Sequence, residues 1–93
     1  MTIGLILVEI LINDAFSLKE KRSVLKGLKD RVKNNFNVSI AEVGDYDIWN
    51  KSAIAIVTVS NMGKHVERTF NDIINFFDNF YNIEIINIRK ELL

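Results

Sequence analysis

Side chains able to hold an anion are concentrated in one stretch of this chain. Between residues 17 and 33, Lys19, Lys21, Arg22, Lys26, Lys29, Arg31 and Lys33 stand against only Glu20 and Asp30. That segment carries +5 in a protein of zero formal charge, so the remainder carries −5. With Leu18 at the origin and about 100° per residue, Lys19, Arg22, Lys26, Lys29 and Lys33 fall within a sector of about 80° and form a ladder about 20 Å long. Cations so spaced suit successive phosphates of a nucleic acid, which position a protein without reading bases. The competing reading is a solvated face whose lysine stems cover the edge of the core. A purely solubilising face usually mixes both signs of charge, and few acids lie on this one.

Other candidates for chemistry are weaker. Ser60-Asn61-Met62-Gly63-Lys64 passes from a strand into a helix, where free backbone N–H groups, Lys64 and His65 form a second candidate anion site. It lacks the glycine spacing of a nucleotide-binding loop, and a helix capped by Asn61 is the simpler account. His65 is the single histidine and has no nucleophile or metal partner at a telling spacing. Glu9, Glu42, Asp45 and Asp47 are the oxygen ligands on offer for a metal. They match no known loop pattern, and outward-facing acids that discourage wrong strand pairing explain the two glutamates. Tyr46 and Trp49 sit in a connection, where Trp49 is expected to plug the open end of the core; the alternative is an exposed aromatic contact for a partner or a base. No catalytic constellation emerges, so neither an enzyme nor a cofactor nor a metal is expected.

The elements that must position these residues are legible from periodicity. Ile3–Ile12 is a near-continuous aliphatic run suited to a central strand. Ser17-Leu-Lys-Glu20 reads as a capping box, and Leu18, Val24, Leu25, Leu28, Val32 and Phe36 line one face of the helix that follows. Val38–Val43 and Ser52–Ser60 read as strands. A second helix is expected from near Asn61 to about Tyr81, with Val66, Phe70, Ile73, Ile74, Phe77, Phe80 and Tyr81 inward. Ile83–Ile88 is the last strand, and Arg89 to Leu93 a short tail. The order β-α-β-β-α-β folds most simply into an α+β, ferredoxin-like sandwich: a four-stranded antiparallel sheet with both helices on one face. No linker interrupts the 93 residues, so one domain, 1–93, is expected.

Composition narrows the setting. Forty-eight per cent hydrophobic residues and six Phe argue for an ordered globule. The absence of Cys removes disulfides, thiolate metal sites and a catalytic thiol. Ile3–Ile12 has neither a basic region before it nor a small-residue cleavage site after it, Glu9 interrupts it, and it falls short of the roughly 20 residues needed to span a bilayer. A soluble cytoplasmic protein with no membrane role is expected.

Both faces of the sheet are expected to be largely apolar, yet two helices cover only one. Leu5, Leu7 and Leu11 of the first strand, and Ile54 and Ile56 of the third, are therefore candidates for an interface. The cheapest cover is a second copy of the chain, giving a homodimer.

Several of these segments also carry a resemblance. Ser17-Leu-Lys-Glu-Lys-Arg22, Phe36-Asn-Val-Ser-Ile-Ala-Glu-Val43, Asp47-Ile-Trp49, Ser60-Asn61 and His65-Val-Glu67 resemble, in order and over almost the whole chain, a small bacterial YlxP-like family of unknown function. The resemblance implies a ferredoxin-like fold and a gene neighbourhood of translation-initiation and ribosome-maturation factors. It supplies no catalytic residues. The combined expectation is a non-enzymatic accessory protein that touches RNA or a ribosomal particle through Lys19, Arg22, Lys26, Lys29 and Lys33, with Lys64 and the Trp49 loop as secondary sites. The alternatives are a homodimeric interaction module without nucleic acid and a small-ligand regulatory domain.

Overall fold

The computed structural model describes residues 1–93. Its elements run β1 (Thr2–Ile12), α1 (Leu18–Asn35), β2 (Ser39–Gly44), β3 (Lys51–Ser60), α2 (Gly63–Asp78) and β4 (Ile83–Leu92). The strands form one antiparallel sheet in the order β2-β3-β1-β4, as the expected fold requires. The long aliphatic strand β1 is central because both its edges are paired, to β3 and to β4.

Register decides which residues meet the helices. Charged Glu9 disfavours burial of its own row, so Leu5, Leu7, Glu9 and Leu11 turn away from the helices while Ile6, Val8, Ile10 and Ile12 enter the core. Glu9 pairs with Ala53 and Val8 with Ile54, so Ala53, Ala55, Val57 and Val59 join the helix-free face. Ile54 and Ile56 lie on the opposite face, 1 % and 0 % exposed, packed in the core. They are therefore not interface residues. Alternation along β3 alone does not say which parity faces in; pairing with the glutamate-bearing strand does.

The helices close that core with Leu25, Leu28 and Val32 from α1 and Val66, Phe70, Ile73 and Phe77 from α2. Ser17 caps α1 as its sequence predicts, its hydroxyl accepting from the Glu20 N–H at 3.1 Å. The return half of the capping box differs, because the Ser17 hydroxyl also faces the Glu20 carboxylate, at 3.3 Å. At α2 the cap is Met62, without a side-chain bond, and not Asn61. Ser60 Oγ accepts from the Met62 N–H at 3.2 Å, a local turn that delays the helix to Gly63. The helix ends at Asp78, so Tyr81 lies outside it and is 79 % exposed, not inward. The expected tail is strand: β4 stays paired with β1 from Ile83 to Leu92, with a bulge opposite Glu9 and Ile10.

Gly4 is a close-approach position. A Cβ there would overlap the Phe70 ring and Val66 Cγ1, so α2 sits directly on the β1 backbone. No helix is long and apolar enough to cross a membrane.

Candidate nucleic-acid interface

Helix α1 displays the basic ladder on its solvent side. Lys19, Arg22, Lys26 and Lys33 are exposed and Lys29 is half-buried. Arg31 lies about 120–200° around the helix from this stripe. Its guanidinium is 5.3 Å from the centre of the Phe80 ring, so the flank bearing Arg31 faces the end of α2 and the stripe points elsewhere. One stripe charge is compensated within the helix: Lys26 Nζ donates to Asp30 Oδ2 at 2.8 Å. That hydrogen bond, reinforced by charge attraction, raises the Lys26 pKa above its usual 10.5 and lowers that of Asp30 below 3.8. Lys33 and Lys29 add smaller downward pulls on Asp30. Lys19, Arg22, Lys29 and Lys33 take part in none of the protein's three ion pairs.

Lys21 belongs to a different arrangement. Its side chain is 1 % exposed, and Nζ donates to the carbonyls of Asp45 and Ile48, each at 2.6 Å. The same nitrogen lies 3.0 Å from Glu42 Oε2, which also accepts from Ser52 Oγ at 2.7 Å. Every donor thus has a partner, and no buried polar side-chain atom in the protein lacks one. Glu42 is accordingly not an outward strand-protecting acid; it shares the parity of core residue Ile40 and turns toward α1. A signal for this existed in the sequence. Lys21 falls at about −60° on the wheel, in the middle of the apolar arc occupied by Leu25, Leu28 and Val32.

The Lys21 contacts hold the β2–β3 connection against the first turns of α1. Asp45 adopts φ 60°, in the left-handed region, and its carbonyl also accepts the Ile48 N–H at 3.1 Å. Trp49 does not plug the core. It is 43 % exposed and packs on Phe16, with ring centroids 6.2 Å apart and planes tilted by 30°. Tyr46 is exposed beside it in sequence. Lys21 holds the carbonyl of the preceding residue, Ile48, and the indole lies outside the core against Phe16.

The remaining candidates are scattered. Lys64 and His65, both exposed, line a polar cavity of about 220 Å³ with Arg68 at the start of α2, on a different helix from the stripe. Glu9 lies on the helix-free face, where it lines a shallow cavity of about 280 Å³ with Leu7, Ala53 and Arg89. Leu5, Leu7 and Leu11 are half-buried on that same face. No three His, Cys, Asp or Glu side chains cluster as metal ligands.

Comparison with known proteins agrees with the fold. The de novo designed protein Foldit4 superposes with a TM-score of 0.55 at 14 % identity, covering 98 % of this chain and 97 % of the design. That likeness concerns the fold alone. The uncharacterised protein YlxP of Bacillus subtilis (strain 168) is 43 % identical over 89 residues, spanning 96 % of this chain and 97 % of the relative. Residues 3–90 match the family described as protein of unknown function (DUF503). On both counts, the chain belongs to the DUF503 family.

Proposed function

We propose that this is a non-enzymatic, cytoplasmic accessory protein that contacts RNA, free or in a ribosomal particle, through the solvent flank of α1. The observation that carries this reading is the set of four stripe cations, Lys19, Arg22, Lys29 and Lys33, left without a carboxylate partner on one helix flank. Their line of charge releases counterions when it meets a phosphate backbone, so binding is salt-dependent and tolerant of sequence. Lys64 and its neighbours on α2 form a secondary contact. Titration of labelled RNA and of ribosomal particles at two salt concentrations is the test. Binding indifferent to salt and to reversal of the stripe charges would reduce α1 to a solvated surface.

A second reading rests on the helix-free face of the sheet. Leu5, Leu7, Leu11, Ala53, Ala55 and Val57 form a largely apolar surface with no helix over it, interrupted by Glu9. A second copy is the partner that requires no further component. This homodimer is compatible with RNA binding because the sheet face and the α1 flank are separate surfaces.

A further inference from the structure

We propose that the end of the molecule formed by the β1–α1 and β2–β3 connections is a docking surface for a basic polypeptide segment. Arginine or lysine side chains would lie over the Phe16 and Trp49 rings and pair with the aspartates around them. This inference does not depend on RNA binding by α1.

Four large apolar side chains project from these two connections: Phe16 is 73 % exposed, Tyr46 55 %, Trp49 43 % and Ile48 41 %. Scattered surface hydrophobics need no explanation, but here they come from two loops in direct contact, Phe16 against Trp49. The surface is also held in place. Lys21 ties the Asp45 and Ile48 carbonyls to α1, and the Ile12 N–H donates to the Asn50 carbonyl at 2.8 Å. The rings are therefore presented by a fixed backbone, and a partner orders little on arrival. Trp and Tyr anchors of this kind dominate binding energy at protein interfaces.

Charge selects the partner. Asp14, Asp45 and Asp47 sit in the same two connections, and none of them takes part in an ion pair. The nearest ammonium in sequence that faces the loop, Lys21, is already committed to Glu42. Lys19 points about 160° away from Lys21 on the helix wheel and Arg22 about 100° away, so the stripe is directed elsewhere. Lys51, at the start of β3, is a further cation next to the connection in sequence. Aromatic faces attract cations through their quadrupole, and carboxylates beside them add charge-assisted hydrogen bonds. A polyanion, by contrast, meets three uncompensated carboxylates at this end.

Trp49 is the only tryptophan, so its emission reports on this surface alone. The full chain is titrated with an arginine-rich peptide, a size-matched acidic peptide and a single-stranded RNA. Affinities for variants are read by anisotropy of the labelled peptides. The expected result is a saturable change in Trp49 emission with the arginine-rich peptide only. Phe16→Ser should weaken that binding at least about threefold, as expected for loss of a cation–π contact. The pair Asp45→Asn and Asp47→Asn should weaken it about tenfold or more, and Asn tolerates the left-handed backbone at position 45. Phe16 and Asp47 are exposed, so these variants keep the fold, which a melting curve checks. Reversing Lys26 and Lys29 to Glu should not weaken peptide binding, and that separates this surface from the stripe. No binding at low salt, affinity unchanged by both loop variants, or a Trp49 response to RNA but not to the peptide would each overturn the proposal.

Discussion

Lys21 and Glu42 form an ion pair at 3.0 Å in which the lysine side chain is 1 % exposed and the glutamate 15 %. The pair joins α1 to the edge strand β2, and Ser52 extends it to β3. A buried charge stripped of its partner is costly even where an intact pair contributes little net stability. Lys21→Met should therefore cost about 3–5 kcal/mol and lower the melting temperature by more than about 10 °C. The double variant K21M/E42L should cost less than the single one, because it strands no carboxylate. Lys26→Met, at an exposed pair, should leave the melting temperature essentially unchanged. A wild-type melt for Lys21→Met would mean that its ammonium is not buried.

Two glycines should respond in opposite senses. Gly4→Ala pushes a methyl group into Phe70 and Val66 and should destabilise by about 1–3 kcal/mol, the usual range for overpacking. Gly27 lies within α1, with nothing within 4 Å of an added Cβ. Gly27→Ala should stabilise by about 1 kcal/mol through helix propensity. Denaturant melts of the two variants check both signs. A neutral Gly4→Ala would show that α2 does not rest on the β1 backbone.

The Lys26–Asp30 pair makes a prediction about pH. Asp30 is held below 3.8, so its contribution is present above that value and fades as pH falls through its lower folded pKa. Lys26 is raised above 10.5, so its contribution is present below that value and fades as pH rises through the folded pKa. A carbon-detected NMR titration should find the Asp30 midpoint below 3.8, and Lys26→Met should move it upward.

For the proposed RNA contact, the same pair should set the salt dependence. Four free stripe cations on single-stranded RNA give a log–log salt slope of about −2.8, and five give about −3.5, at 0.7 per contact. Asp30→Asn frees Lys26 and should steepen the slope toward the second value. Reversing Lys26 and Lys29 to Glu should weaken binding across sequences without unfolding the domain. A slope that ignores both changes would place the contact elsewhere.

The homodimer reading is tested by sedimentation across a wide concentration range. Val57 is 39 % exposed on the helix-free face, so Val57→Lys should leave the fold intact and dissociate the pair. A wild-type chain that stays monomeric at high micromolar concentration would exclude this dimer.

Much of the architecture was legible because long aliphatic runs and helical periodicity are local signals. Thus β1, the α1 core positions Leu25, Leu28 and Val32, and the sheet order followed from pattern and handedness. What pattern alone missed depends on pairing between distant segments. Ile54 and Ile56 looked equivalent to Leu5 and Leu7 until register placed them on opposite faces. Lys21 reads as one more basic residue unless its wheel position is weighed, and its partners lie 21 to 27 residues away, at Glu42, Asp45 and Ile48. Trp49 packs on Phe16 from another connection, a contact between two loops that local pattern does not announce. The stripe itself was visible, but its compensation by Asp30 required side-chain geometry.

Placing both helices on one side of the sheet has a geometric consequence for avidity. In the proposed dimer, two copies joined sheet to sheet carry their helix layers facing outward. The two α1 stripes then lie in separate helix layers of the pair. A short oligonucleotide engages one stripe at a time, whereas a strand long enough to wrap the pair gains the second at high effective concentration. Affinity should therefore rise abruptly with RNA length rather than smoothly, at the length that first spans the stacked pair.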